Sequence, residues 1–182
     1  WERIRLMANK IKKTPITFMM SPSVTVFDIT PLSVLKIYVE RLAAHGINRV
    51  QIIESSNDFN NRLPAVLEML REVGIKIVIG LVYSISPKHT DKYYAEKATH
   101  AASFNPDAIF IKDPAGLLTP ERTKTLVPSV LSGAGEVDVE FHGHCTTGLM
   151  QACYAEAMAL GIETVHTAIP PLSDGSSQPS VF

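Results

Sequence analysis

Short apolar runs rich in β-branched residues alternate along this 182-residue chain with longer stretches of helical period. The runs fall at 16–20 (ITFMM), 49–55 (RVQIIES), 76–84 (KIVIGLVYS), 107–113 (DAIFIKD), 137–144 (VDVEFHGH) and 163–169 (ETVHTAI). Their length and composition predict six strands. Between them, 31–46 (PLSVLKIYVERLAAHG) repeats apolar residues at three- and four-residue spacing and stops at Gly46. Residues 63–74 and 149–161 follow the same pattern and stop at Gly74 and Gly161. A further helix is expected over residues 1–13, ahead of the first strand. Strands that alternate with helices pair in parallel through right-handed crossovers, so the class is α/β.

The placement of polar residues narrows the architecture. They gather at the carboxyl ends of successive strands: Ser21, Glu54, Tyr83, Lys112 with Asp113, and His142 with His144. A TIM-type (β/α)8 barrel builds its site there, and so do doubly wound sheets. No Gly-x-Gly-x-x-Gly follows a strand, which weighs against a dinucleotide fold. Six strand–helix units fall short of the eight a closed barrel needs. The expectation is an incomplete TIM-type barrel, residues 1–182 forming part of one domain whose first two strands lie upstream. A chain that opens on Trp1 rather than Met suits a segment of a longer protein.

Composition excludes several classes. With 46% hydrophobic residues the chain can bury a sizeable core, and a formal charge of −1 gives no footprint for nucleic acid. Cys145 and Cys153 form neither a disulfide framework nor a Cys-x-x-Cys pair. No apolar run nears the roughly 20 residues that span a bilayer, and no signal peptide is visible. A cytoplasmic location is expected.

The densest chemistry lies in 140–149, EFHGHCTTGL. Side chains alternate along a strand, so His142 and His144 project to one side, where two neutral imidazoles suit one divalent ion. Taken alone, a His-x-His pair is an incomplete metal site, and one ring can equally be a hydrogen-bonded structural group. Lys112 changes the weighting, because it ends the preceding strand and a barrel brings it beside the pair. An ammonium cannot ligate a cation, and burial disfavours its charged form. A neutral amine can instead add carbon dioxide to give a carbamate with two ligand oxygens. The plain alternative is a Lys112–Asp113 ion pair of small energetic weight.

Three segments, 111–127 (IKDPAGLLTPERTKTLV), 142–150 (HGHCTTGLM) and 165–180 (VHTAIPPLSDGSSQPS), resemble the carboxyltransferase domain of biotin-dependent enzymes. That family includes pyruvate carboxylase, the oxaloacetate decarboxylase α subunit and the large metal-binding subunit of transcarboxylase. Residues 1–20 and 82–90 (VYSISPKHT) resemble them too, so the likeness runs through nearly the whole chain. It implies a divalent metal (zinc, manganese or cobalt) held by carbamylated Lys112, His142 and His144. The family's fourth ligand is an aspartate in an Arg-Asp motif that this sequence lacks. It further implies carboxyl transfer to, or decarboxylation of, a small 2-oxo acid of the pyruvate or oxaloacetate type. Biotin arrives on a separate carrier domain or subunit, since no Met-Lys-Met carrier sequence is present. The full-length protein is expected to be a homo-oligomer. Two other readings stay open: a metal-dependent carbon–carbon lyase or synthase on the same barrel, whose relatives normally lack the lysine, and a diverged non-catalytic carboxylase subunit.

The sequence departs from the family on the substrate side. Relatives carry Leu-Leu-Arg-Gly where this chain has Met19-Met20-Ser21-Pro22, and Phe-Arg-x-Phe-Asp where it has Val50-Gln51-Ile52-Ile53-Glu54. Ser21, Gln51 and Glu54 are therefore the candidate substrate-binding residues, and a bidentate guanidinium is hard to replace with Ser21 or Gln51. Pyruvate itself becomes doubtful as the substrate. His45, His89 and His100 read as surface polar groups. His166, where relatives usually have Asp or a small residue, either reaches the pocket or packs structurally. Cys145 reads as a small buried residue facing away from the metal side.

Overall fold

The computed structural model describes residues 1–23 and 29–182. Among the described residues six strands and six helices alternate as the hydrophobic pattern predicts: α1 (Glu2–Lys10), β1 (Thr17–Met20), α2 (Leu32–Ala44), β2 (Arg49–Ile53), α3 (Leu63–Glu72), β3 (Lys76–Val82), α4 (Asp91–Ala102), β4 (Ala108–Asp113), α5 (Pro120–Ala134), β5 (Val139–Gly143), α6 (Met150–Ala159) and β6 (Thr164–Val165). The strand order is β1-β2-β3-β4-β5-β6. A doubly wound sheet reverses its order at a switch point, whereas sequential order is the barrel pattern. The sixth strand is shorter than its sequence suggested, two residues against seven, and among the described residues no helix follows it.

The chain resolves into two compact units, Trp1–Ile79 and Gly80–Phe182. In the first, β1 and β2 pair in parallel with Thr17 opposite Arg49. Helix α2 buries Leu35, Val39 and Leu42, and α3 buries Leu63, Val66, Leu67 and Leu70, the spacing of one helical face. These residues and Val50 and Ile52 of β2 are at most 1% exposed and form this unit's core. Helix α1 buries nothing, so its place rests on contacts such as Ala8 against Gly46. Gly46 follows α2 at φ +96°, where a side chain would be strained and would also strike Ala8.

In the second unit β4 pairs with β5 and β5 with β6, all in parallel. Every residue of β4 and β5 is buried. Helices α4 and α5 start on Thr90 and Thr119, whose hydroxyl oxygens accept from the N–H groups of Tyr93 and Arg122. Pro120 opens α5, where its missing N–H is no loss. Helix α6 buries Met150, Cys153, Tyr154 and Ala157 along one face. Met150 fills the side of β5 opposite the histidines. A Cβ on Gly143 would lie 2.2 Å from its sulfur, so that face needs a glycine.

Candidate metal centre

Strand register brings the first two residues together. In the β4–β5 ladder Lys112 stands directly opposite His142. The Lys112 Nζ lies 3.2 Å from His142 Nε2, with both residues buried. His144 follows the end of β5, where its N–H still donates to the Asp113 carbonyl at 3.0 Å. The alternation therefore holds for one more residue, and the two imidazole rings stand 5.3 Å apart.

Both rings turn a nitrogen toward a common point. His144 Nδ1–H donates to the Ser176 carbonyl at 2.7 Å, which leaves a lone pair on Nε2. The Gln178 amide nitrogen lies 3.4 Å from that Nε2 and 3.5 Å from His142 Nε2. Ser176 and Gln178 belong to the loop after β6, which Asp174 ties together. Its carboxylate accepts from Gln151 Nε2 (2.8 Å) and the Ser180 N–H (3.3 Å), and its own N–H donates to the Gln178 carbonyl (2.8 Å). The Cys145 N–H donates to the Ser177 carbonyl at 2.8 Å, fastening the loop to the end of β5.

Behind the pair lies a second set of contacts. His142 Nδ1 is 3.1 Å from His166 Nδ1, and His166 Nε2 is 3.0 Å from Glu140 Oε2. Tyr154 sets the spacing: its hydroxyl accepts from the Gly143 N–H at 3.0 Å and donates to the His166 carbonyl at 2.6 Å. Burial pushes its phenol well above the ordinary value, so it remains a donor. The Phe110 ring packs on both His142 and His166.

Burial pulls His142 down to about 3, with the neighbouring Lys112, His166 and His144 charges adding to the effect. Its imidazole is neutral near pH 7. Burial lowers Lys112 as well, against the opposing pull of Asp113. The Lys112–Asp113 alternative gains no support, because Asp113 Oδ2 accepts from the Leu118 N–H at 2.7 Å and Oδ1 has no hydrogen-bond partner. Among the described residues no group of three or more His, Cys, Asp or Glu side chains could hold an ion. The donor set is two imidazoles whose Nε2 atoms converge plus a lysine of lowered basicity. That set fits a divalent ion if Lys112 contributes as a carbamate.

Ser21, Gln51 and Glu54 lie in the first unit. Ser21 Oγ accepts from the Ser23 N–H at 3.1 Å, and Gln51 is buried opposite Met19. One Glu54 oxygen accepts from the N–H groups of Ser56 (2.9 Å) and Asp58 (2.7 Å) and from the Ser56 hydroxyl (2.6 Å), building the turn after β2. His45 bonds to the Arg41 carbonyl, His89 to Ser86, and His100 stacks on Phe104. Cys145 is buried against Asp174. His166 lies behind His142, in contact with it and with Glu140. Sequence reasoning passed over Glu140 and Gln178. The first lay two residues before His142 on the same face, the second in the Ser-Gln-Pro already noted for its family likeness.

Sequential strand order is the barrel pattern, and comparison with known proteins agrees with that fold. The homologues of this chain are carboxylase and carboxyltransferase enzymes, and its fold matches part of a TIM-type carboxyltransferase barrel. A pyruvate carboxylase subunit of Methanothermobacter thermautotrophicus is 31% identical over 180 residues, 98% of this chain and 31% of that protein. The 2-oxoglutarate carboxylase large subunit of Hydrogenobacter thermophilus is 26% identical over 183 residues, 99% of this chain and 28% of that protein. The carboxyl transferase domain of Rhizobium etli pyruvate carboxylase, solved with pyruvate and biocytin, superimposes with a TM-score of 0.93 at 25% identity, covering 100% of this chain and 31% of that one. The chain thus spans about a third of the length of the relatives it matches. No family model matches. Among the described residues no helix is long and apolar enough to cross a membrane.

Proposed function

We propose that this chain is the metal-binding portion of a biotin-dependent carboxyltransferase, exchanging a carboxyl group between biotin and a small 2-oxo acid. The observation that carries the reading is the convergence of Lys112 Nζ, His142 Nε2 and His144 Nε2 at the carboxyl ends of adjacent strands. Lys112, lowered by burial, is proposed to react as the free amine: its nitrogen bonds to carbon dioxide, one proton leaves, and an anionic carbamate remains. That anion with His142 and His144 would hold zinc, manganese or cobalt. A divalent ion held there supplies the charge that polarises a 2-oxo acid carbonyl and stabilises the negative charge developing on it.

The chain's own residues do the rest. Ser176 holds His144 with its lone pair forward, and Phe110 walls one side of His142 against water. Biotin, as carboxyl donor or acceptor, comes on a separate carrier domain or subunit. Ser21, Gln51 and Glu54 are proposed for the substrate side on the strength of the family resemblance. Pyruvate and 2-oxoglutarate, named for two relatives, are the acids to try first. A cytoplasmic, homo-oligomeric full-length protein belongs to the same reading.

The test is decarboxylation of oxaloacetate with and without added biotin, in the parent and in Lys112→Arg. The parent should respond to biotin. Arginine keeps its charge and cannot form the carbamate, so the variant should lose the response. Equal, biotin-independent rates in both proteins would contradict the reading and favour a lyase without biotin.

A further inference from the structure

Glu140, His166 and His142 make a chain of contacts that leads to Lys112: 3.0 Å from Glu140 Oε2 to His166 Nε2, 3.1 Å from His166 Nδ1 to His142 Nδ1, and 3.2 Å from His142 Nε2 to Lys112 Nζ. A neutral imidazole has one N–H and one lone pair, so each ring passes on a direction. An ionised Glu140 only accepts, which places the His166 proton on Nε2 and leaves its Nδ1 as an acceptor. His142 must then carry its proton on Nδ1, and its Nε2 presents a lone pair to Lys112. The opposite direction would point a His142 N–H at the lysine and leave both ends of the chain with the wrong partner.

We propose that His166 and Glu140 are positioning residues that hold His142 in the Nδ1–H tautomer with its Nε2 lone pair directed at the centre. The inference deepens the metal reading given above and rests on it. Sequence and fold support it independently of any bound group. Glu140 and His142 lie on one face of β5 two residues apart, and Tyr154 fixes the His166 backbone beside them through a 2.6 Å hydrogen bond. Nδ1 of His142 is only one of its two nitrogens, and without an acceptor there the ring is free to turn or change tautomer. A metal-ligating histidine is oriented in general by the group bonded to its other nitrogen, and loss of that group weakens metal binding roughly 10- to 100-fold.

The experiment uses protein with 15N-labelled histidine, free of metal, and reads tautomers by long-range proton–nitrogen NMR. Zinc alone is then titrated in. The wild type should show His142 as Nδ1–H and His166 as Nε2–H. His166→Phe, which removes the acceptor, should mix the His142 tautomers and weaken zinc roughly 10- to 100-fold. His166→Asp returns an acceptor-only group near the former Nδ1 and should restore both readouts. Glu140→Leu is the second variant should the phenylalanine disturb folding, and it should randomise His166 as well as His142. A wild-type His142 protonated on Nε2, or a tautomer unmoved in both His166→Phe and Glu140→Leu, would overturn the proposal. Failure of the wild type to take up zinc would count against the metal reading, while the metal-free NMR result would still decide this one.

Discussion

Acid should destabilise this fold through His142, and the size of the effect follows from its burial. The residue is 6% exposed, and burial beside Lys112, His166 and His144 holds its imidazole at about 3, against about 6.5 in an unfolded chain. The folded value is the lower one, so below pH 6.5 the unfolded chain takes up a proton that the folded chain refuses. Stability is then lost as pH falls from about 6.5 toward about 3. At pH 5 the unfolded imidazole is almost fully charged and the folded one almost fully neutral, a penalty of about 2 kcal/mol. His142→Asn removes the titration and keeps a polar side chain. Urea denaturation in EDTA at pH 7 and pH 5 gives the comparison. Other groups titrate in both proteins, so the quantity to read is the difference between the two pH losses. The parent should lose about 2 kcal/mol more than the variant, roughly 1 M in urea midpoint for a slope near 2 kcal/mol per molar. Parallel losses in the two proteins would refute the reasoning, since they would mean that His142 charges as readily folded as unfolded.

Two further outcomes can be checked. Gly143→Ala places a Cβ 2.2 Å from the sulfur of Met150, a side chain only 1% exposed, and should lower stability by about 1–3 kcal/mol in thermal melts; an unchanged melt would show that Met150 can move aside. Gln51→Ala should raise KM for the 2-oxo acid about 10-fold or more, the usual weight of a hydrogen bond to a charged group, with metal content unchanged; an unchanged KM would remove Gln51 from the substrate side.

The parts legible in the sequence are those that local pattern controls. Helices α2, α3 and α6 close at Gly46, Gly74 and Gly161, each with positive φ, because an apolar stripe followed by a left-handed residue is a local signal. The pairing of Lys112 with His142 was also within reach, since parallel strands in sequence order set their carboxyl ends side by side. The surrounding set was less accessible. Gln178 comes from a loop 34 residues beyond His144, and no periodicity announces where that loop folds back. His166 lies just past β6, which is two residues long rather than the expected seven, so strand alternation does not set its face and its position depends on the Tyr154 hydroxyl. The need for Gly143 comes from Met150, a residue on the following helix, and a single strand's sequence cannot show it.

The claim on which the account depends is that His142 and His144 hold one divalent ion together with Lys112. Elemental analysis of the purified protein and of the His142→Ala/His144→Ala double variant tests it directly. The account predicts one zinc, manganese or cobalt per chain in the parent and none in the double variant, with the fold of both confirmed by circular dichroism. A parent without stoichiometric metal, or a double variant that keeps it, would contradict the account.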